Sequence, residues 1–410
     1  MALLLTFAVL PLRAEEQQSL SPLRSGALRK SGMPATAESV TIPLNSTLSG
    51  FTVEVRINGN PVDLVLDTGA ALTILSPETA RKLGLKAEGI GDQVRGITGM
   101  HLEAQRVLTR RFSLGEAWTE NEPVGVLPMP QGLNGILGVA TLADWDVRID
   151  PATKELTLFP ANKARPLEGE IALPLTCELV NPEASKSNPQ GLRLLNLMVP
   201  VRVGSHDFLA VPDTGNGGIL TLPRALMDKI APEAMKEAWP ALVSGVSISG
   251  SMATRAAKLP EFTFGPDTLR GLATDVYDAV PGTRGERMGS IGLNLLRHYV
   301  MTCRFSAGDL RLKPLGTVQE ITRTSTAGMN LGFGDGGRIL ILSVVPEGPA
   351  ASAGLRAEDS ILEIEGRPLK TMKPEELAAF KRLPPGSSVK VLYRRGEAKP
   401  VEVTLVLVKQ

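Results

Sequence analysis

The chain predicts a mainly β protein made of two equivalent halves and a smaller third module. Three observations predict it. Two Asp-Thr-Gly triplets sit in matching surroundings, short alternating apolar runs are divided by Gly, Pro and Asn, and a Thr-, Ser- and Gly-rich stretch over 316–328 sets off the last 80 or so residues. Alternation in short runs bounded by turn residues is the pattern of half-buried strands.

The repeat bears on architecture before chemistry. Asp67-Thr68-Gly69 and Asp213-Thr214-Gly215 stand 146 residues apart, and at that offset Val53, Val55, Arg56 and Ile57 map onto Val199, Val201, Arg202 and Val203. Each copy reads strand, turn, strand. The first turns through Asn58 to Asn60 and runs Leu64-Val65-Leu66 into Asp67; the second turns through Gly204 and Ser205 and runs Leu209-Ala210-Val211-Pro212 into Asp213. A helix is expected after each, over Pro77 to Leu83 closed by Gly84 and over Pro223 to Ile230, since Pro suits a first helical turn and Gly a stop. A second matching stretch starts at Gly138 and Gly292, now at offset 154. It equates Leu142 with Leu296, Trp145 with Tyr299, Ile149 with Cys303, and Leu156 and Leu158 with Leu310 and Leu312. The change of offset places insertions in surface loops between the two stretches.

The ends read differently. Met1 to Ala14 is an apolar run too short to span a bilayer and suited to the core of a signal peptide, with Ala14 at the cleavage position, so export to the periplasm or outside is expected. It lacks the basic residues that open such a leader, which a start truncated upstream would explain. The competing reading is an apolar terminus of a cytoplasmic protein. Residues 15–38 have no period and are expected to be a linker, followed by one half over 39–160, the other over 161–316, a short linker over 317–326 and the last module over 327–410.

Composition excludes more than it selects. With 44 Lys and Arg against 43 Asp and Glu, the chain has no basic field to favour nucleic acid or an anionic membrane. His101, His206 and His298 are scattered without ligand-spaced partners, so neither a metal site nor a cofactor is expected. Cys177 and Cys303 both fall in the second half. Export would favour a disulfide between them, whereas the equivalence of Cys303 with the core position Ile149 favours a buried thiol.

Leu64-Val65-Leu66-Asp67-Thr68-Gly69-Ala70, Ile74-Leu75 and Ile136-Leu137-Gly138 together resemble the retropepsin-like aspartic proteases. The resemblance implies two β-barrel lobes and a pair of catalytic aspartates, Asp67 and Asp213, each delivered by a strand to a tight turn. Two close carboxylates cannot both ionise cheaply, so they hold one proton between them; one can then act as base toward water while the other donates to a peptide carbonyl. Thr68 and Thr214 resemble the family's hydroxyls that bond across the two loops, with Gly69 and Gly215 supplying the turns. Val94 to Met100, tipped by Gly96 and Gly99, and Gly245 to Ser251, with Gly245 and Gly250, read as flap hairpins suited to closing over an extended peptide. The second copy departs from the pattern. Pro212 stands for Leu66, Asn216-Gly217-Gly218 for Ala70-Ala71-Leu72, and Ser290-Ile291-Gly292 for the two apolar residues and Gly.

Leu331-Gly332-Phe333-Gly334, the strand from Ile339 to Val345, Pro349-Ala350-Ala351-Ser352-Ala353-Gly354-Leu355, Asp359 to Gly366 and a helix from Pro374 to Lys381 resemble a PDZ domain. That resemblance implies an extended peptide added to a sheet edge, with its C-terminus captured by the amides of a loop at Leu331, Gly332, Phe333 and Gly334. The expectation is an exported aspartic endopeptidase acting on polypeptides, with no cofactor. Two alternatives stand beside it: a silent, protease-like scaffold that works through its PDZ module, kept open by Pro212, Asn216 and Ser290, and a homodimer that uses two copies of Asp67.

Overall fold

The computed structural model describes residues 29–47, 50–86, 92–95, 101–129, 132–179, 195–238, 242–247, 250–283, 286–316, 318, 325–334, 338–372, 376, 380 and 383–409. The expected leader lies outside them, as does most of the helix expected from Pro374.

The alternating runs are strands. Gly50–Ile57 buries Val53, Val55 and Ile57 on one face and pairs with Asn60–Leu66 across a turn where Asn58 and Gly59 have φ of 52° and 87°. Those positive φ values favour Gly and Asn, the residues present. The second half repeats the hairpin with Leu195–Val203 and His206–Asp213, turning at Gly204 with φ 55°. Helices follow at Pro77–Lys82, capped by Ser76 accepting from the Thr79 amide, and at Arg224–Ile230.

The two halves join in one sheet. Val40–Thr47, Glu155–Pro160, Trp145–Asp150, Tyr299–Arg304, Asp309–Pro314 and Ile171–Pro174 run side by side, all antiparallel, three from each half. Val147 lies opposite Cys303 and Ile149 opposite Met301, whereas the repeat equates Ile149 with Cys303. An exchange of equivalents across the seam requires a local two-fold axis through the pair Arg148 and Thr302, and the Arg148 Nε donates to Thr302 Oγ1 at 3.0 Å there. One apolar core runs through both halves; Ile341, Leu355, Ile361, Val391 and Leu405 form a separate core in the C-terminal module.

Three expectations need amendment. The segment expected as a linker contains a strand, Lys30–Gly32, paired with Ala117–Val126, and Arg29 is buried against Glu122 and Asp144. Its lack of period hid a tether held by one ionic side chain. The two cysteines are free thiols, and burial pushes each up to about 12. Cys303 is in the core, as its equivalence with Ile149 implied. In the C-terminal module Leu331 to Gly334 lie in an edge strand, Met329–Gly334, instead of a loop, with Arg338–Val344 as the neighbouring strand.

Candidate active site

Each aspartate ends a strand held by the same device. Asn60–Leu66 runs parallel to Gly135–Leu137, which also pairs with Ile74–Leu75; His206–Asp213 runs parallel to Gly289–Gly292, which also pairs with Leu220–Pro223. The chain thus returns behind each Asp-Thr-Gly turn. Gly138 and Gly292 make that return possible, because a Cβ there would stand 2.2 Å from the carbonyl oxygens of Leu72 and Gly218 respectively.

The turns then grip each other. The Thr68 amide donates to Thr214 Oγ1 at 3.0 Å and the Thr214 amide to Thr68 Oγ1 at 3.1 Å. Thr68 Oγ1 donates to the Pro212 carbonyl at 2.5 Å and Thr214 Oγ1 to the Leu66 carbonyl at 2.6 Å. Both threonines are buried, so every polar atom of the exchange needs a partner, and each finds it in the other half. Pro212 has no ladder donor, and the contact between the turns uses its carbonyl.

The grip brings the carboxylates of Asp67 and Asp213 into hydrogen-bonding contact. Asp67 Oδ1 accepts the amides of Gly69 and Ala70 at 2.9 Å, and Asp213 Oδ1 those of Gly215 and Asn216 at 3.0 Å. A Cβ on Gly69 would lie 2.3 Å from the Asp213 carboxylate carbon, and one on Gly215 equally close to that of Asp67. Glycine at these two positions is therefore a requirement of the contact. Burial holds Asp67 well above the usual carboxylate range, helped by the charge and hydrogen bond of Asp213. Burial also raises Asp213, against the opposing hydrogen bonds from Ser290, Asp67, Asn216 and Gly215. One proton shared by the pair is the state these causes favour.

Residues 53–141 match the family model of the aspartyl proteases, and residues 340–395 that of PDZ domains. The chain carries an aspartyl protease-like domain and a PDZ domain. Over 76 residues it is 41% identical to the magnetosome formation protease MamE of Magnetospirillum gryphiswaldense, across 18% of this chain and 10% of that protein. The chain therefore spans about a tenth of that relative's length. The aspartic proteinase from Irpex lacteus is similar in structure over 69% of this chain and 99% of its own, at 15% identity and a TM-score of 0.43. The protease match ends before Asp213, whose place in the site rests on the geometry above.

Other expected site residues are more dispersed. Arg95 pairs with His101 at the base of the hairpin expected as a first flap, and Gly96 and Gly99 lie outside the described residues. Gly245 sits at a bulge in Leu242–Ser247 and Gly250 opens the return strand, with Ser247 opposite Gly250. Leu242–Ser247 runs beside the PDZ strands Met329–Gly334 and Arg338–Val344. Asn216 and Ser290, read from sequence as departures, converge on Asp213: Ser290 Oγ donates to its Oδ2 at 2.9 Å, and Asn216 Nδ2 donates to Ser290 Oγ at 2.8 Å. The only signal available beforehand was that both are polar where their equivalents, Ala70 and Ile136, are not.

Proposed function

We propose that the chain is an exported aspartic endopeptidase that hydrolyses peptide bonds with a water activated between Asp67 and Asp213. The observation that carries it is the contact of the two carboxylates, enforced by the reciprocal threonine grip and by two glycines with no room for a side chain. A carboxylate of the pair takes a proton from water as the water oxygen bonds to the peptide carbonyl carbon, while the protonated partner gives its proton to the carbonyl oxygen. The resulting diol returns a proton to that partner, the first carboxyl protonates the nitrogen, and the carbon–nitrogen bond breaks. Thr68, Thr214, Gly69 and Gly215 hold the pair in place, and Gly96, Gly99, Gly245 and Gly250 belong to flaps that close over the peptide. The scaffold reading rested on Pro212, Asn216 and Ser290. All three bond to the grip or to Asp213 itself, which supports a working second half.

The test is hydrolysis of an unfolded polypeptide across pH. Both carboxyls are raised, so the shared proton is retained above the ordinary carboxylate range; activity is expected in acid and toward neutrality, falling as pH rises and the pair becomes doubly charged. A chelator should leave the rate unchanged. A rate that climbs through alkaline pH, or that chelation removes, would refute the proposal.

For the PDZ domain we infer binding of peptide C-termini along the edge strand Met329–Gly334, with Leu331, Gly332, Phe333 and Gly334 at the carboxylate end. Amidation of the peptide removes a charged acceptor and is expected to weaken binding to the full chain by roughly 10–100-fold. Equal binding of free and amidated peptides would make the domain a packing element.

A further inference from the structure

The two halves treat their aspartates differently. Asp67 Oδ1 and Asp213 Oδ1 each accept two backbone amides, so the main chain is even-handed. The side chains are not. In the first half the positions behind the aspartate are Ala70 and Ile136, which offer no hydrogen bond. In the second half they are Asn216 and Ser290, and Ser290 is 2% exposed in the strand Gly289–Gly292 that backs Asp213.

The direction of the Ser290 hydroxyl follows from its neighbours. Asn216 Oδ1 accepts the Gly218 amide at 2.8 Å, which fixes the orientation of the carboxamide. Its Nδ2 then points two hydrogens at two hydroxyls, Thr221 Oγ1 at 2.9 Å and Ser290 Oγ at 2.8 Å. Having accepted from Asn216, the Ser290 hydroxyl has its own proton to place, and Asp213 Oδ2 lies 2.9 Å away. A donor held in that direction is satisfied by an ionised carboxylate, which only accepts; a proton on the same oxygen would oppose it.

We propose that Ser290, oriented by Asn216, is a positioning residue that makes Asp213 the charged member of the pair and therefore the base toward water, leaving Asp67 as the acid toward the peptide carbonyl. This rests on the aspartic protease reading for its chemistry, but the assignment of charge stands on the hydrogen bonds alone. The causes acting on the two groups run the same way: the Asp213 charge and hydrogen bond raise Asp67, while the bonds from Ser290 and Asp67 oppose the rise of Asp213. Among the described residues Asp275, on Asp267–Tyr277, is a further ionisable group near this network: its Oδ2 lies 3.3 Å from where a Cβ on Gly218 would stand and its Oδ1 accepts from Thr254 Oγ1 at 3.2 Å. Asp275 is common to every variant below, so its contribution cancels between them.

The experiment compares full-length wild type, Ser290→Ala and Ser290→Thr by the pH dependence of kcat/KM and by carbon-13 NMR titration of the aspartate carboxyls, with Asp213→Asn to assign the Asp213 signal. Loss of a hydrogen bond to a charged group moves a carboxyl by about 1–2 pH units. Ser290→Ala is therefore expected to shift the acidic limb, and the first titration step of Asp213, upward by about that amount. Ser290→Thr keeps the hydroxyl and should keep the wild-type values. Should Ser290→Ala lose its cooperative melt, Asn216→Ala frees the hydroxyl to rotate and should give a smaller upward shift. A folded Ser290→Ala with both readouts unmoved overturns the proposal, as does a first titration step that belongs to Asp67 in the wild type. Absence of hydrolysis in the wild type with the NMR step still moving would overturn the protease reading and leave the charge assignment intact.

Discussion

Asp67→Asn and Asp213→Asn are each expected to reduce peptide-bond cleavage by roughly 10³-fold or more, and the double variant by little beyond either single one. Residues that act as a unit lose their function together, and burial with mutual charge favours one shared proton on these two carboxylates. The readout that separates chemistry from folding is stability. A carboxyl raised in the folded state contributes stability that is fully present below its unfolded pKa and is lost as pH rises through the folded value. Near neutral pH, Asp67 is thus a burden on the fold, and replacing it with an uncharged isostere is expected to leave the melting temperature unchanged or higher. Full activity in Asp213→Asn would instead favour a pair built from two copies of Asp67. Here the shared sheet, with Arg148 and Thr302 on the local axis, already places one Asp67 against one Asp213.

Much of this site could be read before the structure because the sequence states it twice. A strand entering Asp-Thr-Gly is ambiguous once, but the same strand, turn and strand 146 residues later implies equivalent loops that can face each other. Local signals of that kind also located the hairpin turns at Asn58 and Gly204 and the helix from Pro77. What escaped was non-local. Ser290 lies 77 residues from Asp213 and 74 from Asn216, and its partners become visible only when the backing strand is laid against the aspartate strand. Judged against the first half, it looked like decay. The seam between the halves escaped for a related reason: two strands that are equivalent by repeat gave no indication that they would pair with each other. The Leu331 to Gly334 segment was expected as a loop from the PDZ resemblance, yet pairing with Arg338–Val344 draws it into the sheet.

Arg29 is where the sequence was least informative and the expected effect on stability is large. Its guanidinium pairs with both Glu122 and Asp144, and the three side chains are at most 9% exposed. Glu122 Oε1 in turn accepts from Thr141 Oγ1 at 2.9 Å, Thr141 meets the Thr73 hydroxyl at 2.7 Å, and Thr73 Oγ1 accepts the Gly138 amide at 3.1 Å. That chain of contacts ends at the glycine packed behind the Asp67 turn, so the segment leading into the first lobe is tied to the floor of the site. Arg29→Met keeps most of the apolar stem and removes the charge, leaving two buried carboxylates without their cation. Breaking a buried pair in this way costs about 3–5 kcal/mol, much more than an exposed surface pair is worth. At the scale of a lobe of this size the melting temperature should fall by roughly 10 °C. Glu122→Gln in the same background relieves one of the stranded charges and should recover part of the loss, whereas simple loss of packing would not be recovered. A melting temperature for Arg29→Met within a degree of wild type would show that the tether contributes nothing, and that the first lobe holds Gly138 in place through its own threonines.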